Sequence, residues 1–559
     1  MDGNACAHYK IRKTSSKSKA LTLALSPLLI KVIEQSVMPT LALSRFQNIR
    51  VYWLAFIAYW GIVLFGYDTG IGGGVVTQPY FQEHFGIIGA DGKIDTKKAN
   101  DINSNVVSVL QAGAFFGALG SAPISSAIGR RLTLLLFSII FSVGAILQTV
   151  AGGSRGIGYI YAGRVIAGVG IGAISAVAPA FVSESSPKEV RGRITGVFQI
   201  MVAVGVMLSY FINLGVSLHI KTGFAVWRIP LGFQLVPAGI MAFGLLTIRE
   251  SPRWLASKGR YEAATKNLAY YRRLPPDDPC VRHEMAEIEA AVEEEREARR
   301  GLGLKEAFFG KGNAIRFVIA IVIFILQQFS GQNSVNYYAP QIFKSIGYEG
   351  TSNSLLASGI YGIVKVVATA LFVFFLVESL GRKLSLFISA IGMGTLFFIV
   401  GAILKTHPPP AIAPPTPPAA SKAMAAMLYI YVCFYSMGWG PLPWVYVSDI
   451  FNTRTRHLGL ATASASQWLF NFVLSKITPT LVTDLGYKLF LMFATINIAG
   501  MGIFSLLIPE TKGRSLEEMD IIFGSVQQEQ RQAGIARQEK EIAHEAQDTT
   551  STQSDEQKV

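Results

Sequence analysis

Charged residues are scarce in this chain: Asp, Glu, Lys and Arg make up 15% of its 559 residues, whereas hydrophobic residues make up 51%. A soluble chain of this length would divide into several domains with polar surfaces, and the composition argues against that class. Cysteine is also rare. Cys6, Cys280 and Cys433 are far apart, so their spacing indicates neither a disulfide framework nor a zinc site.

Anionic charge is in deficit, and the formal net charge is +14. The Lys and Arg residues lie at the ends of apolar segments instead of forming one basic domain, so we expect no nucleic-acid partner. A nucleophile–base pair, a cluster of metal ligands and a phosphate-binding loop are all lacking. The sequence therefore predicts that the protein is not an enzyme.

Long apolar segments dominate what is present. Because an α-helix needs about 20 residues to cross a hydrocarbon core of roughly 30 Å, these segments predict an all-α membrane protein with 12 transmembrane helices. The predicted segments are 50–72, 105–127, 132–151, 159–183, 192–214, 227–248, 314–338, 354–377, 384–405, 424–449, 459–481 and 487–508.

The loops between these segments alternate in charge. Basic residues at 129–131, 188–193, 382–383 and 454–456 belong to one side, which the positive-inside rule assigns to the cytoplasm together with both termini. We predict a cytosolic tail at 1–49, a six-helix bundle at 50–248, a cytosolic helical linker at 249–313, a second six-helix bundle at 314–508, and a cytosolic tail at 509–559 that is disordered at its end.

Local patterns recur between the two predicted bundles. Gly129-Arg130-Arg131 follows the second segment, and Gly381-Arg382-Lys383 follows the eighth. Such repeats are typical of transporters, which place the substrate site near mid-depth between two related halves. Charged residues at the inner segment ends are predicted to form a cytoplasmic gating network: Arg130, Glu184, Arg191 and Glu250 in the first half, and Arg382, Asp449, Arg456 and Glu510 in the second. The same seven-residue spacing in both halves predicts that Glu184 pairs with Arg191 and Asp449 with Arg456, unless these are ordinary solvated loop charges.

Three ionisable residues lie inside apolar segments: Asp68, Arg164 and Lys365. Such residues are expensive in a bilayer and usually mark an ion or substrate pathway. Asp68 and Arg164 are expected at similar depth, where they can pair. Two interpretations remain open: a purely structural ion pair, or a proton-coupling pair in which Asp68 takes and releases a proton and Arg164 tunes it.

Amide and aromatic side chains gather near mid-depth in other segments. Amides can both donate to and accept from the hydroxyl groups of a small substrate, and a tryptophan can cover an apolar ring face. Alternatively, these amides only bridge neighbouring helices. The predicted substrate contacts are Gln199, Gln327, Gln328, Asn333, Lys365, Trp444 and Asn471.

Eight motifs in a fixed order carry a family resemblance: GYDTG at 66–70, GRR at 129–131, GRVIAGVGIG at 163–172, ESSPKEVRGR at 184–193, ESPRWL at 250–255, QQFSGQNSVNYY at 327–338, GPLPWVYVSDIF at 440–451 and PETKG at 509–513. With these motifs the chain resembles the sugar porters of the major facilitator superfamily. The resemblance implies two pseudo-symmetric six-helix bundles, alternating access, and substrate contacts at Gln199, Gln328, Asn333 and Asn471.

Two positions depart from the family pattern. Ser126 stands where an acidic residue usually precedes Gly129, and Arg249 stands where a proline commonly precedes ESPR. Neither is expected on the substrate path, so we expect altered gating or stability there.

Lys365 is the unusual member of the predicted site. It lies where many sugar-transporting relatives have an amide, and the surrounding pattern is also similar to that of quinate permeases. If Asp68 and Arg164 offset each other, Lys365 leaves a positive charge that suits a carboxylated polyol. The alternative is that Lys365 faces another helix, either neutral or paired with an acid.

The sequence thus predicts a proton-coupled transporter that imports either a monosaccharide (a hexose or a pentose) or a sugar-like polyol. A quinate permease is the close alternative, and a non-transporting sugar sensor is the alternative of another class. We expect the proton gradient to be the driving force and no cofactor to be required. The transport unit is expected to be a monomer surrounded by membrane lipid. We expect a multi-pass protein of the plasma membrane.

Overall fold

The computed structural model describes residues 48–524, apart from gaps at 90–91, 154, 301–302, 311, 377–380, 411–416, 453, 513–518 and 520–521. The predicted N-terminal tail, save for its last two residues, and the predicted disordered end of the C-terminal tail lie outside the described residues.

Within the described residues the chain forms twelve long helical elements, and its only β-structure is two isolated bridges. Their bounds are α1 Ile49–Val76, α2 Thr96–Ile128, α3 Arg130–Thr149, α4 Gly158–Ser185, α5 Lys188–His219, α6 Ala225–Phe233 with Leu235–Leu245, α7 Asn313–Phe329 with Gln332–Ser345, α8 Thr351–Leu371 with a π-helical turn Phe372–Leu376, α9 Arg382–Thr406, α10 Ala419–Met437 with Leu442–Ile450, α11 Arg456–Leu485, and α12 Tyr487–Thr495 with Ile496–Gly502 and Ile503–Leu507.

Eleven of these elements are both long and apolar enough to cross a membrane. The twelfth, α11, has 30 residues but carries several polar side chains, among them Gln467, Asn471 and Lys476. Its length and its place in the bundle make it the remaining span. The predicted fold class, an all-α membrane protein of 12 transmembrane helices in two six-helix bundles, is confirmed.

Small residues set the packing of the helices. The Cβ atom of an alanine at Gly168 would lie 2.1 Å from the Leu110 carbonyl oxygen, and one at Gly117 would lie 2.1 Å from that of Val169. Helices α2 and α4 therefore cross with their backbones in contact, as small residues permit in membrane bundles. The two halves meet chiefly where α5 packs on α8 and α2 packs on α11.

Two elements predicted as continuous helices are broken. In α7 the break lies at Gly331, whose φ of +90° is unfavourable for other residues. In α10 it lies at Gly438, where an added Cβ would lie 2.5 Å from that of Ser389. Helix α6 is not broken in this way, because Gln234 between its two segments keeps helical dihedral angles, with φ of −54° and ψ of −28°. Breaks of this kind are tolerated in a membrane where other groups bind the freed backbone atoms.

The linker between the two bundles, predicted to be helical at 249–313, contains four helices among its described residues. These are Pro252–Ser257, Tyr261–Arg272, Pro279–Arg299 and Leu304–Phe309. Proline at the first helical position and a side-chain cap explain two of these starts, since Ser251 accepts from the Trp254 amide and Asp278 from that of Cys280.

Candidate functional site

Asp68 and Arg164 are in contact at the centre of the first half. Arg164 Nη1 donates to Asp68 Oδ1, and both residues are 1% exposed. Arg164 Nε also donates to the Val106 carbonyl at 2.7 Å, so the guanidinium is held by α1 and α2 together. Gly72, one turn after Asp68, makes room for it, because a Cβ there would lie 2.5 Å from Arg164 Nη2. Asp68 Oδ2 has no hydrogen-bond partner among the described residues.

A second polar chain runs beside this pair and joins the two halves. Asn471 Nδ2 on α11 donates to the Tyr337 hydroxyl at 2.9 Å. With the Gln111 amide oriented to satisfy its neighbours, Gln111 Oε1 on α2 accepts from the same hydroxyl at 3.1 Å. Sequence reasoning missed Gln111, although a buried amide in an apolar segment was the available signal. These hydrogen bonds link Asn471, a predicted substrate contact, to α2. Helix α2 also accepts a hydrogen bond from Arg164 through the Val106 carbonyl.

Lys365 is 4% exposed, and its Nζ donates to Asn336 Oδ1 at 3.2 Å. Gln332 Nε2 donates to the same oxygen at 3.0 Å and to the Tyr361 hydroxyl at 2.8 Å. Among the residues that the structure describes, no carboxylate forms an ion pair with Lys365, so the predicted alternative of an acidic partner finds no support there. Gln332 and Tyr361 were not predicted.

The second segment of α7 presents two polar rows because residues four apart share a helix face. Gln332 and Asn336 face α8, whereas Asn333 and Tyr337 turn the other way. Asn333 Nδ2 donates to Gln328 Oε1 at 2.5 Å, which carries the second row back across the break in α7. The second segment of α7 therefore contacts both the polar residues around Lys365 and the hydrogen bonds that meet at the Tyr337 hydroxyl.

The Gln327 side chain binds backbone carbonyls at the break in α10. Its Nε2 donates to the carbonyls of Trp439 and Gly440 at 2.7 and 3.2 Å, and its Oε1 accepts from Gln328 Nε2 at 3.4 Å. These are carbonyls that the broken helix leaves unbonded, so the geometry favours the helix-bridging interpretation for Gln327. Its role as a substrate ligand stays a prediction.

Trp444 and Gln199 are both half-buried. The rings of Trp444 and Phe324 meet edge to face, with centroids 4.6 Å apart. Gln199 makes no side-chain hydrogen bond with another described residue, which leaves its amide available. A role in substrate contact stays a prediction for both.

The end of the bundle opposite the basic loops is closed. A Cβ at Gly73 would lie 1.9 Å from the Tyr337 carbonyl oxygen, so α1 and α7 touch through their backbones. Nearby, Tyr210 donates to the Asn336 carbonyl at 2.5 Å. Lys476 Nζ adds a bond from α11 to Asn105 Oδ1 on α2 at 2.5 Å. The contacts that join the halves here close the bundle at this end, which the loop charges predict to be the outer one.

At the inner end of the first half, a carboxylate caps a helix. Glu250 accepts from the backbone amides of Arg130 and Arg131 at 3.0 and 3.1 Å, which stabilises the N-terminus of α3. The Arg130 guanidinium binds both oxygens of Glu184, at 2.9 and 3.1 Å. Gly129 has a φ of +98°, and a Cβ there would lie 2.4 Å from Glu250 Oε2.

The second half repeats this arrangement. Glu510 accepts from the amides of Arg382 and Lys383 at 3.0 and 2.9 Å, and Arg382 Nε lies 3.5 Å from Asp449 Oδ2. The pairing is looser than that of Arg130, in keeping with the shorter aspartate side chain.

The seven-residue spacing suggested that Glu184 would pair with Arg191 and Asp449 with Arg456. In the structure, Glu184 forms an ion pair with Arg130, and Asp449 forms one with Arg382. Arg191 Nη2 donates to the Ser186 carbonyl at 3.1 Å. Arg456 lies within electrostatic range of Asp449.

The two capping carboxylates differ electrostatically. Burial raises the pKa of Glu250 above its usual value and outweighs the opposing backbone hydrogen bonds and the Arg130 charge. Glu510 is less buried. Burial acts in the same direction there, but four backbone amides together outweigh it, so the pKa of Glu510 is lowered.

Comparisons with known proteins agree with this architecture. The family model described as "Sugar (and other) transporter" matches residues 54–523. A quinate permease of Emericella nidulans is 38% identical over 482 residues, which cover 85% of this chain and 89% of the relative. A probable quinate permease of Neosartorya fischeri is 38% identical over 484 residues, 86% and 88% of the two chains.

Among solved structures, the proton:xylose symporter XylE bound to 6-bromo-6-deoxy-D-glucose is similar, with a TM-score of 0.69 and 26% identity over 85% of this chain and all of that one. An inward-open structure of XylE from E. coli has a TM-score of 0.68 and 25% identity over 84% and 99% of the two chains.

Proposed function

Since the chain belongs to the sugar transporter family of the major facilitator superfamily, we propose that it imports a small polyhydroxylated substrate together with protons by alternating access. Membrane transport, not enzyme chemistry, is common to the family model, the curated relatives and the structural neighbours. The proposal concerns which substrate is moved and which residues couple it to the proton.

Proton coupling is assigned to Asp68 with Arg164. One Asp68 oxygen is bound by the guanidinium, and Oδ2 is without a described partner and so remains able to accept a proton. Protonation would remove the charge that holds Arg164 and weaken the contact between α1 and α4. The driving force is the proton gradient, and no cofactor takes part.

Quinate is the substrate that we favour, and the observation that carries this choice is Lys365. Among the described residues, the buried Lys365 ammonium contacts an amide oxygen, that of Asn336. It therefore lacks there the opposite charge that an ionised group within a membrane usually has beside it. The carboxylate of quinate would supply it, while Gln199, Gln328, Asn333, Trp444 and Asn471 would contact the hydroxylated ring. The names of the 38% identical relatives support the same choice.

A neutral monosaccharide is the second candidate. Its support is the likeness to a proton:xylose symporter and the set of amides, which suit hydroxyl groups without a charge. Under both candidates we propose a monomeric transport unit, because a single chain contains both halves of the site. We also propose a plasma-membrane location with cytoplasmic termini, Arg130, Glu184, Arg191, Glu250, Arg382, Asp449, Arg456 and Glu510 forming the inner gate network.

Uptake of labelled quinate, glucose and xylose separates these candidates. Cells lacking endogenous carriers express the chain, and uptake is measured at acidic external pH with and without a protonophore. Quinate uptake that the protonophore abolishes supports the favoured function, and uptake of a neutral sugar alone supports the second. If the chain reaches the cell surface and none of the three accumulates, the transport proposal is wrong and a sensor role gains support.

A further inference from the structure

A basic groove lies outside the transport path, between the start of α1 and the cytosolic linker helix Tyr261–Arg272. It is open to solvent, with a volume of about 660 Å³. Its lining includes four cationic residues, Arg50, Arg249, Lys266 and Arg273. No described acid forms an ion pair with Arg50 or Arg249, and Lys266 pairs with Glu262 at 2.6 Å on an exposed surface. Cationic charge is thus in excess within the groove.

Tyr270 organises two of these cations. The guanidinium carbons of Arg50 and Arg249 each lie 4.2 Å from the centroid of its ring. Arg50 Nη1 also donates to the Tyr270 carbonyl at 2.8 Å. Two arginines held against one ring are pre-ordered, and the flat guanidinium suits bidentate contact with phosphate oxygens.

Two of the residues that line this groove have unusual features. Arg249 replaces the proline that commonly precedes ESPR, so this chain gains a cation where the family pattern has none. Arg273 has a φ of +57° and is the non-glycine residue with positive φ in the described part of the chain. That conformation at a helix end is usually left to glycine, so it favours a role for the arginine side chain.

The groove opens at the level of the membrane surface. Tyr52, Trp53 and Phe56, within two turns of Arg50, are each between 45% and 47% exposed on the outside of the bundle. Aromatic side chains in such a position form the interfacial belt. Trp53 Nε1 donates to Thr247 Oγ1 at 3.0 Å, which ties this belt to the segment that carries Arg249.

We propose that this groove binds the phosphorylated inositol ring of an anionic membrane lipid. The loop charges assign the groove to the cytoplasmic side, where phosphoinositides are found, and basic pockets beside membrane helices on that side bind such headgroups. The volume suits a six-membered ring with its phosphates, and the paired arginines suit phosphate oxygens. Because the groove joins α1 to the linker, an occupied site would hold these two elements together.

The test is a titration of the purified full-length chain in detergent with dioctanoyl phosphatidylinositol 4,5-bisphosphate. The variant Arg50→Gln with Arg249→Gln removes the two ring-stacked cations. Near a membrane surface each cation is worth roughly a fivefold change in affinity, so we expect binding to weaken about 25-fold. Lys258→Gln with Arg260→Gln removes two exposed cations outside the groove and serves as the matched control, with an expected change below about threefold.

Each outcome is decisive. Equal weakening in the control pair would mean diffuse surface charge and would overturn the site, as would unchanged binding in the double variant. Soluble inositol 1,4,5-trisphosphate that binds as tightly as the lipid would retain the phosphate site but reject a membrane ligand. If the double variant unfolds, Arg50→Lys with Arg249→Lys keeps the charge and removes the stacked plane, and affinity equal to wild type would then refute the assigned geometry.

Discussion

Replacing Lys365 with methionine is expected to change transport and stability in opposite directions. If Lys365 Nζ binds the substrate carboxylate, its loss removes one charge-assisted hydrogen bond worth about 1.5–3 kcal/mol, so KM for quinate should rise by roughly 10- to 150-fold. A neutral sugar has no carboxylate, and its KM should change by less than about threefold.

Stability should increase in the same variant. A lysine at the centre of a membrane helix costs about 2.5–3.5 kcal/mol, and the single bond from Nζ to Asn336 at 3.2 Å offsets only part of it. Asn336 Oδ1 keeps a donor after the substitution, because Gln332 Nε2 lies 3.0 Å away. We therefore expect Lys365→Met to stabilise the folded protein by about 1–2 kcal/mol.

Both quantities can be measured on one preparation: quinate and xylose uptake into proteoliposomes, and thermal unfolding of the purified protein. Lys476→Met is the matched control, because Lys476 also lies within a membrane helix but bonds Asn105 Oδ1 at 2.5 Å on the closed outer side. It should lower stability and affect the two substrates alike. An equal rise in KM for quinate and xylose in Lys365→Met would refute the carboxylate contact, and a loss of stability would refute the view of Lys365 as an uncompensated charge.

Three other perturbations address coupling, pH dependence and gating. Asp68→Asn should abolish accumulation against a gradient while counterflow exchange persists, and proton-driven accumulation in this variant would contradict the coupling role. Because burial raises the pKa of Glu250, the folded protein binds this proton more tightly than the unfolded chain does. The stabilisation from the bound proton is therefore lost, and the melting temperature falls, as pH rises from the usual glutamate range through the raised pKa. Glu250→Gln should flatten this fall in melting temperature, whereas Glu510→Gln should leave it unchanged, since the pKa of Glu510 is lowered; equal effects of the two substitutions would be inconsistent with this difference. Gly73→Ala forces a Cβ to within 1.9 Å of the Tyr337 carbonyl oxygen and should open the outer side, measured as increased labelling of cysteines introduced into the outer part of the pathway; unchanged labelling would argue against closure by this contact.

Corresponding positions in the two halves show how far repeats in the sequence extend into structure. Glu250 and Glu510 both cap the helix that follows a Gly-Arg pair; the recurring motifs indicated the pair in both halves but not the distant carboxylate that caps it. The ion pairs were less predictable. Equal spacing of seven residues pointed to Arg191 and Arg456, but Arg130 and Arg382 bind the two acids, because the arginine at the start of a neighbouring helix approaches from across the loop.

The amides near mid-depth show the same division. Their positions in apolar segments could be identified from the sequence, but not which atom each would bind. Gln327 is engaged by carbonyls freed at the break in α10, more than 100 residues away, and Tyr337 is bonded by Asn471 and Gln111 from different halves. Those partners depend on where α7 and α10 break and on how closely small residues let the helices cross.

The sequence by itself determined the class of protein, the number of spans and the burial of Asp68, Arg164 and Lys365, and its loop charges predict the orientation of the spans. These properties follow from segment length, hydropathy and loop charge, which act locally through the cost of placing polar groups in hydrocarbon. Only the tertiary structure decided that Lys365 donates a hydrogen bond to Asn336 and has no ion pair with an acid among the described residues. It also decided that Arg249 and Arg50 both pack against the Tyr270 ring. Such contacts join residues distant in the chain, and helix crossings set their distances, which no local pattern encodes.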